Sequence, residues 1–189
     1  ETYAPVAKLE AIRMLLAYTS FQHVKLFQMD VKSAFLNGFI NEEVYVKQPP
    51  GFENHEFPDH VYKLQKALYG LKQAPRAWYE RLSKFLIAKG FSRGTLDTTL
   101  FIKKDGKDML LIQIYVDDII FGATNARMCE EFSKCMQGEF EMSMMGELTY
   151  FLGLQIKQTK DGIFVNQAKN KRDLVKLFNM SDVKAPETT

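Results

Sequence analysis

The sequence predicts an α+β fold, an antiparallel sheet with helices packed on one face, and three observations carry that reading. Met109–Thr124, MLLIQIYVDDIIFGAT, is a pair of β-branched, aromatic and aliphatic runs meeting at two adjacent carboxylates, Asp117 and Asp118. Closed by Gly122 and Asn125, these runs are strand signals, and they are too short for two helices. Helical apolar spacing recurs on either side of them, at 77–89 and 126–138. Lys160-Asp161-Gly162 then separates two further strand-like stretches, and Asp-Gly between such stretches signals a hairpin. Strands and hairpins alternating with helices in this order give an antiparallel sheet covered by helices.

The elements follow in order. An extended piece around Pro5 leads into a helix with Leu9, Ile12, Leu15 and Leu16 on its apolar face. Val24–Val31, VKLFQMDV, alternates and predicts a strand that ends at Asp30. A short strand at Val44–Val46 precedes QPPGFENHEFPDH, where Pro49, Pro50, Gly51 and Pro58 prevent regular structure. Val61–Leu68 predicts a strand, and Gly70 a turn. Pro75 suits the first turn of a helix, where its missing N–H costs nothing. That helix runs over 77–89 with Trp78, Leu82, Phe85 and Leu86 on one face. Thr99–Lys103 is a strand before the carboxylate hairpin, and 126–138 an amphipathic helix with Met128, Phe132 and Met136. Strands at 148–157 and 163–166 follow, then a basic helix over 168–179 with a Leu174, Leu177, Phe178 seam.

Composition narrows the function classes. The 189 residues, 46% hydrophobic and 25% charged, describe a globular chain of one domain. A net charge of +2 does not by itself point to nucleic acid. No apolar run approaches the length of a membrane span. Cys129 and Cys135 fall on different faces of one helix and lack metal-site spacing, which fits a reducing intracellular setting. His55, Asp59 and His60 sit in the Pro-rich loop without the spacing of a metal site. No loop alternates oxygen ligands as a Ca²⁺ site does.

Chemistry concentrates at three places. Adjacent Asp117 and Asp118 repel each other unless a cation or hydrogen bonds compensate. They read either as a solvated hairpin tip or as a divalent-metal site completed by a carboxylate from another strand. Asp30, an acid in an apolar neighbourhood, reads by itself as a helix cap or turn residue. Lys63, Lys66, Lys72, Arg76, Arg81, Lys84, Lys89 and Arg93 cluster against a single acid, Glu80. That cluster is either a solvated helix face or a phosphate track, with Tyr69, Trp78 and Tyr79 as stacking or packing groups.

MDVKSAFLNG (29–38), QPPGF (48–52), LYGLKQAPRAWYERL (68–82), YVDD (115–118) and YFLGLQI (150–156) occur in one order. Together, over essentially the whole chain from ETYAPVAKLEAIR onward, they resemble the reverse transcriptase of copia-type (pseudoviral) long-terminal-repeat retrotransposons. LYGLKQAPRAWY is the most specific of these motifs. The resemblance implies a right-hand polymerase: a ferredoxin-like palm at about 24–38 and 71–166, a fingers remnant at about 1–23 and 39–70, and the start of a thumb at about 167–189.

Catalysis would then rest on Asp30, Asp117 and Asp118. Asp30 and Asp117 would be direct ligands of two Mg²⁺ ions (Mn²⁺ being possible), with Asp118 nearer the primer end. Two hard cations about 4 Å apart stabilise the attacking and leaving oxygens of in-line phosphoryl transfer. By position, Phe35 would block a 2′-hydroxyl, or is core. Tyr69 and Gly70 would lie near the incoming deoxynucleoside triphosphate, with Lys72, Gln73 and Arg76 facing nucleotide or template. Tyr115 and Val116 would lie against nucleic acid, and Phe151, Leu152 and Gly153 would grip the primer.

The implied partners are an RNA or DNA template with its primer, deoxynucleoside triphosphates, and the fingers, thumb and ribonuclease H parts of the same polyprotein, with no membrane. The implied setting is the cytoplasm, in a virus-like particle. A basic fingers segment would precede Glu1, so this piece alone is expected to polymerise poorly. Asn170 and Lys171 depart from the family, which places an aromatic after QAK. The alternative is a nucleic-acid-binding remnant that no longer catalyses.

Overall fold

The computed structural model describes residues 3–180. Its elements are α1 (Leu9–Phe21), β1 (Leu26–Val31), a 3₁₀ turn (Ala34–Asn37), β2 (Tyr45–Lys47), β3 (Val61–Lys63), α2 (Ala74–Ala88) and β4 (Ser92–Arg93). There follow β5 (Leu100–Asp105), β6 (Asp108–Tyr115), β7 (Asp118–Ala123), α3 (Ala126–Glu139), β8 (Met142–Glu147), β9 (Tyr150–Phe151), β10 (Leu154–Thr159), β11 (Gly162–Asn166) and α4 (Ala168–Leu177).

Six strands form the main sheet in the order β4-β5-β6-β7-β1-β8, each neighbouring pair antiparallel. Within it, β1-α2-β6-β7-α3-β8 follows the strand–helix–strand–strand–helix–strand sequence of ferredoxin-like folds, with β1 between β7 and β8. A three-stranded sheet, β11-β10-β9, and the β2–β3 hairpin stand apart from it.

Alternation along the central strands divides the core. Leu110, Ile112, Ile114, Ile119, Phe121, Met29 and Val31 pack with Trp78, Leu82, Phe85 and Leu86 of α2 and Met128, Phe132 and Met136 of α3. Their neighbours Leu111, Ile120 and Leu26 face the other way, onto Ile12, Leu15 and Leu16 of α1 and onto Phe151, Leu154 and Ile156. The expected single helical face therefore holds for α2 and α3 only. The reverse face carries α1 and the three-stranded sheet, because strands apolar on both sides must be covered on both. A side chain joins the two sheets: Gln158 accepts from the Leu26 N–H (2.8 Å) and donates to the Leu26 carbonyl (2.9 Å).

Several boundaries differ from expectation. The strand predicted over Val61–Leu68 stops at Lys63, because its partner β2 is only three residues long. Beyond it Ala67 turns inward, fully buried, and donates to the Gly38 carbonyl. Helix α2 starts at Ala74, with Pro75 in its first turn as expected. Strand β8 has no signal in the sequence: Met142-Ser143-Met144-Met145-Gly146 shows no alternation, and it pairs with β1 through a bulge at Gln28/Met29. The seam of α4 is exposed, Leu177 by 73%. Of the segment read as the thumb start, 181–189 lies outside the described residues, as do Glu1 and Thr2.

Candidate active site

Asp30 and Asp118 are direct register partners across β1 and β7. Met29 and Val31 point into the α2/α3 core, so by strand parity Gln28 and Asp30 emerge on the opposite face. Asp118 shares that face, its neighbour Ile119 being on the α2/α3 side. Asp117 occupies the turn just before, and its carbonyl accepts the Val31 N–H at 3.1 Å. A third acid from another strand thus stands beside the pair.

Two carboxylates directly opposite one another are unfavourable when both are ionised. Burial, and then the charges of Asp117 and Asp30, push the Asp118 carboxyl above its ordinary value. Gln28 opposes this by donating from Nε2 to Asp118 Oδ1 at 2.7 Å. An all-oxygen, partly exposed acidic set of this kind suits a hard divalent cation such as Mg²⁺. Among the described residues, no three His, Cys, Asp or Glu are arranged to hold a metal ion. His60, in the Pro-rich loop, stacks on Phe57 instead.

The turn carrying Asp117 is strained. Tyr115 pairs with Asp118, leaving Val116 and Asp117 as a two-residue loop. Val116 lies at φ +56° and Asp117 does not share that region, the pattern of a type II′ turn, whose first central position is normally glycine. A left-handed β-branched residue costs on the order of 1–3 kcal/mol. The Trp78 indole N–H meets this turn, donating to the Val116 carbonyl at 2.7 Å.

The other residues singled out by sequence fall into two groups around these acids. Phe35, in the 3₁₀ turn after Asp30, is half-buried and its ring lies 4.7 Å from that of exposed Tyr69. Gly70 is at φ +92° with open space where a Cβ would project, so the glycine there serves a backbone conformation. Lys72 is exposed, and Gln73 caps α2 through its carbonyl. Arg76 pairs with Glu80 at 2.7 Å. On the other side, Tyr115 packs edge-on against Phe151 (5.5 Å, 83°), which brings the β9–β10 hairpin beside the carboxylate turn. Leu152 (φ +47°) and Gly153 (φ +80°) form its tip, the two-residue pattern of a type I′ turn. Asn170 of α4 lies against Gly153, 3.2 Å from where a Cβ would sit.

The basic cluster is thinner than its sequence suggests. Arg81 pairs with Glu139 and Lys63 with Glu43, while Lys66 and Lys89 lie over the rings of Phe39 and Phe85. Trp78 and Tyr79 are buried and pack in the core, which leaves Tyr69 as the exposed aromatic of the three. The motifs give no role to Gln28 or to the Trp78 N–H, which the structure places in hydrogen bonds at the site. The first signal was available, a polar residue two before Asp30 on one strand face. The second was hidden by the apolar role of the ring.

All 189 residues of the chain match the family described as "Reverse transcriptase (RNA-dependent DNA polymerase)". Full-length similarity extends to the Retrovirus-related Pol polyproteins from transposons RE1 (39% identical) and RE2 (37%) of Arabidopsis thaliana. The corresponding polyprotein from transposon TNT 1-94 of Nicotiana tabacum is 31% identical. The chain spans 13% of the length of the first two and 14% of the third. No solved structure matches it significantly.

Proposed function

The chain belongs to the reverse transcriptase (RNA-dependent DNA polymerase) family, in its copia-type branch, and we propose that Asp30, Asp117 and Asp118 are the acidic centre of an RNA-directed DNA polymerase. The observation that supports this most directly is the register pairing of Asp30 with Asp118 beside Asp117. Asp30, 87 and 88 residues before Asp117 and Asp118 in the sequence, stands with them at one end of one sheet, at an electrostatic cost that a bound cation would remove.

Asp30 and Asp117 are the residues that would hold divalent cations, with Asp118 beside the primer end. Mg²⁺ held there would supply positive charge to the oxygens of nucleotidyl transfer. The remaining roles belong to the chain's own groups. Phe35, backed by Tyr69, closes the space beside the sugar and excludes a 2′-hydroxyl. Tyr69 and Gly70 lie near the nucleotide, Gly70 allowing the turn its positive φ, and exposed Lys72 offers positive charge to phosphates, with Arg76, paired to Glu80, facing nucleotide or template. The Leu152-Gly153 tip, braced on Tyr115 through Phe151, presents backbone to the primer end. In this reading 24–38 and 71–166 are the palm, 1–23 and 39–70 belong to the fingers, and 167–189 begin the thumb.

The test is Asp117→Asn in the chain joined to the rest of its polyprotein. Mg²⁺-dependent extension of a labelled primer on RNA is expected to disappear, while primer–template binding, which rests on phosphate contacts, persists. Equal extension by variant and parent would overturn the assignment. Binding without extension in the parent itself would identify a remnant that no longer catalyses.

A further inference from the structure

Trp78 is the only tryptophan of the chain and is 1% exposed, with its ring edge-on to Phe140 at 5.2 Å. A buried indole N–H needs an acceptor. This one takes the carbonyl of Val116, 38 residues away in the turn that carries Asp117. That carbonyl belongs to the central peptide of a two-residue loop. Flipping a central peptide interconverts type II′ and type I′ turns, since they differ in whether the second central residue also has positive φ. Val116 keeps its positive φ in either form, and Asp at the second position tolerates the left-handed region, so the flipped turn is accessible.

We propose that Trp78 is a positioning residue: its indole N–H locks the Val116–Asp117 peptide against that flip and so fixes Asp117 relative to Asp30. The lock is two-sided. In a trans peptide the N–H points opposite to the C=O, so with the Val116 carbonyl drawn toward α2 the Asp117 N–H is directed away from it. The next carbonyl, that of Asp117, is held by the N–H of Val31, the residue adjoining Asp30. Both peptides flanking Asp117 are therefore fixed, one from α2 and one from the strand that supplies Asp30. The consequence for cation binding rests on the carboxylate assignment above; the lock itself does not.

Because Trp78 is the sole tryptophan, growing a tryptophan auxotroph on benzothienylalanine changes this position alone, replacing the N–H by sulfur and keeping the bicycle. Two readouts are taken on the folded protein. The intraresidue amide–α-proton NOE reports positive φ at Val116 and Asp117, and Mn²⁺ titration followed by electron paramagnetic resonance reports cation affinity beside an Asp117→Asn control. Loss of the N–H is expected to give Asp117 a left-handed population and to weaken Mn²⁺ binding by about tenfold, the size of one hydrogen bond. Trp78→Phe should move both readouts the same way. A lowered unfolding midpoint with the turn unchanged would overturn the proposal and leave Trp78 a packing residue. If the parent binds Mn²⁺ no better than Asp117→Asn, the carboxylate assignment fails, and the turn's response alone decides the role of Trp78.

Discussion

Gly38→Ala is the substitution whose cost the structure specifies best. Gly38 follows the 3₁₀ turn with ordinary extended dihedrals, φ −79° and ψ 133°, so alanine meets no conformational objection there. The objection is space. A Cβ would sit 2.7 Å from the Ala77 carbonyl carbon and the Trp78 nitrogen and 2.8 Å from the Ala77 Cβ. Ordinary contact begins at 3.4 Å, so about 0.7 Å must open between two backbone segments. Overpacking of this kind costs typically about 1–3 kcal/mol, and stiffening the unfolded chain offsets only about 0.4–1 kcal/mol of it. We expect a net loss of about 1–2 kcal/mol, which a urea slope of about 2 kcal/mol/M converts into a midpoint lowered by about 0.5–1 M. Gly138→Ala is the control: it lies in α3 with nothing within 4 Å of the new methyl, and should gain up to about 1 kcal/mol. Urea titrations of both variants followed by circular dichroism decide the matter. Midpoints that move in the same direction would refute the packing argument, and with it the close packing of Phe35 on Ala74 and Ala77 of α2.

Other outcomes follow from the site. Phe35→Ala should raise ribonucleotide over deoxyribonucleotide incorporation in the active protein while costing about 1–2 kcal/mol, short of the 3–5 kcal/mol of a fully buried Phe; an unchanged sugar ratio with a full core penalty would make Phe35 a packing residue. The Asp118 carboxyl, raised by burial and its acidic neighbours, binds its proton more tightly folded than unfolded, so ionising it costs stability as pH rises through the folded value. Asp118→Asn should therefore stabilise the metal-free chain near about pH 7, with the gain fading toward about pH 4; thermal unfolding across that range showing no gain, or a gain only in acid, would contradict it. Lys72→Ala should reduce the salt slope of primer–template binding by about 1, whereas Arg81→Ala, its charge already matched by Glu139, should change it much less; equal slopes for the two would show that the ion pair does not withhold Arg81.

What the sequence made legible and what it hid have a common physical origin. The Met109–Thr124 hairpin was readable because both runs are β-branched, aromatic or aliphatic and the acids interrupt them at one point. Helix α2 was readable from Pro75 and its apolar spacing. Strand β8 was hidden because its methionines and Gly146 have little strand preference; it forms because β1 offers a free edge. Which layer covers which face was also hidden, since Leu110, Leu111 and Ile112 are equally apolar and point to both sides. At the site, the motifs supplied the acids and their neighbours. The Gln28 and Trp78 hydrogen bonds depend on a register and a helix position that only the folded chain defines.

The placement of β1 between β7 and β8 has a consequence during synthesis. LFQMDV leaves the ribosome long before either partner strand, and both its edges stay unpaired meanwhile. At about 5–20 residues per second, the roughly 90–115 residues that must follow take about 5–25 s. An apolar strand with two open edges is a template for pairing with other chains. Asp30, and Lys25 and Lys32 at its borders, are then the charges that keep the nascent strand apart from its copies. The acid that serves the finished sheet is in this sense also the strand's guard against aggregation before the sheet exists, and its neutralisation should be felt first as a loss of soluble yield.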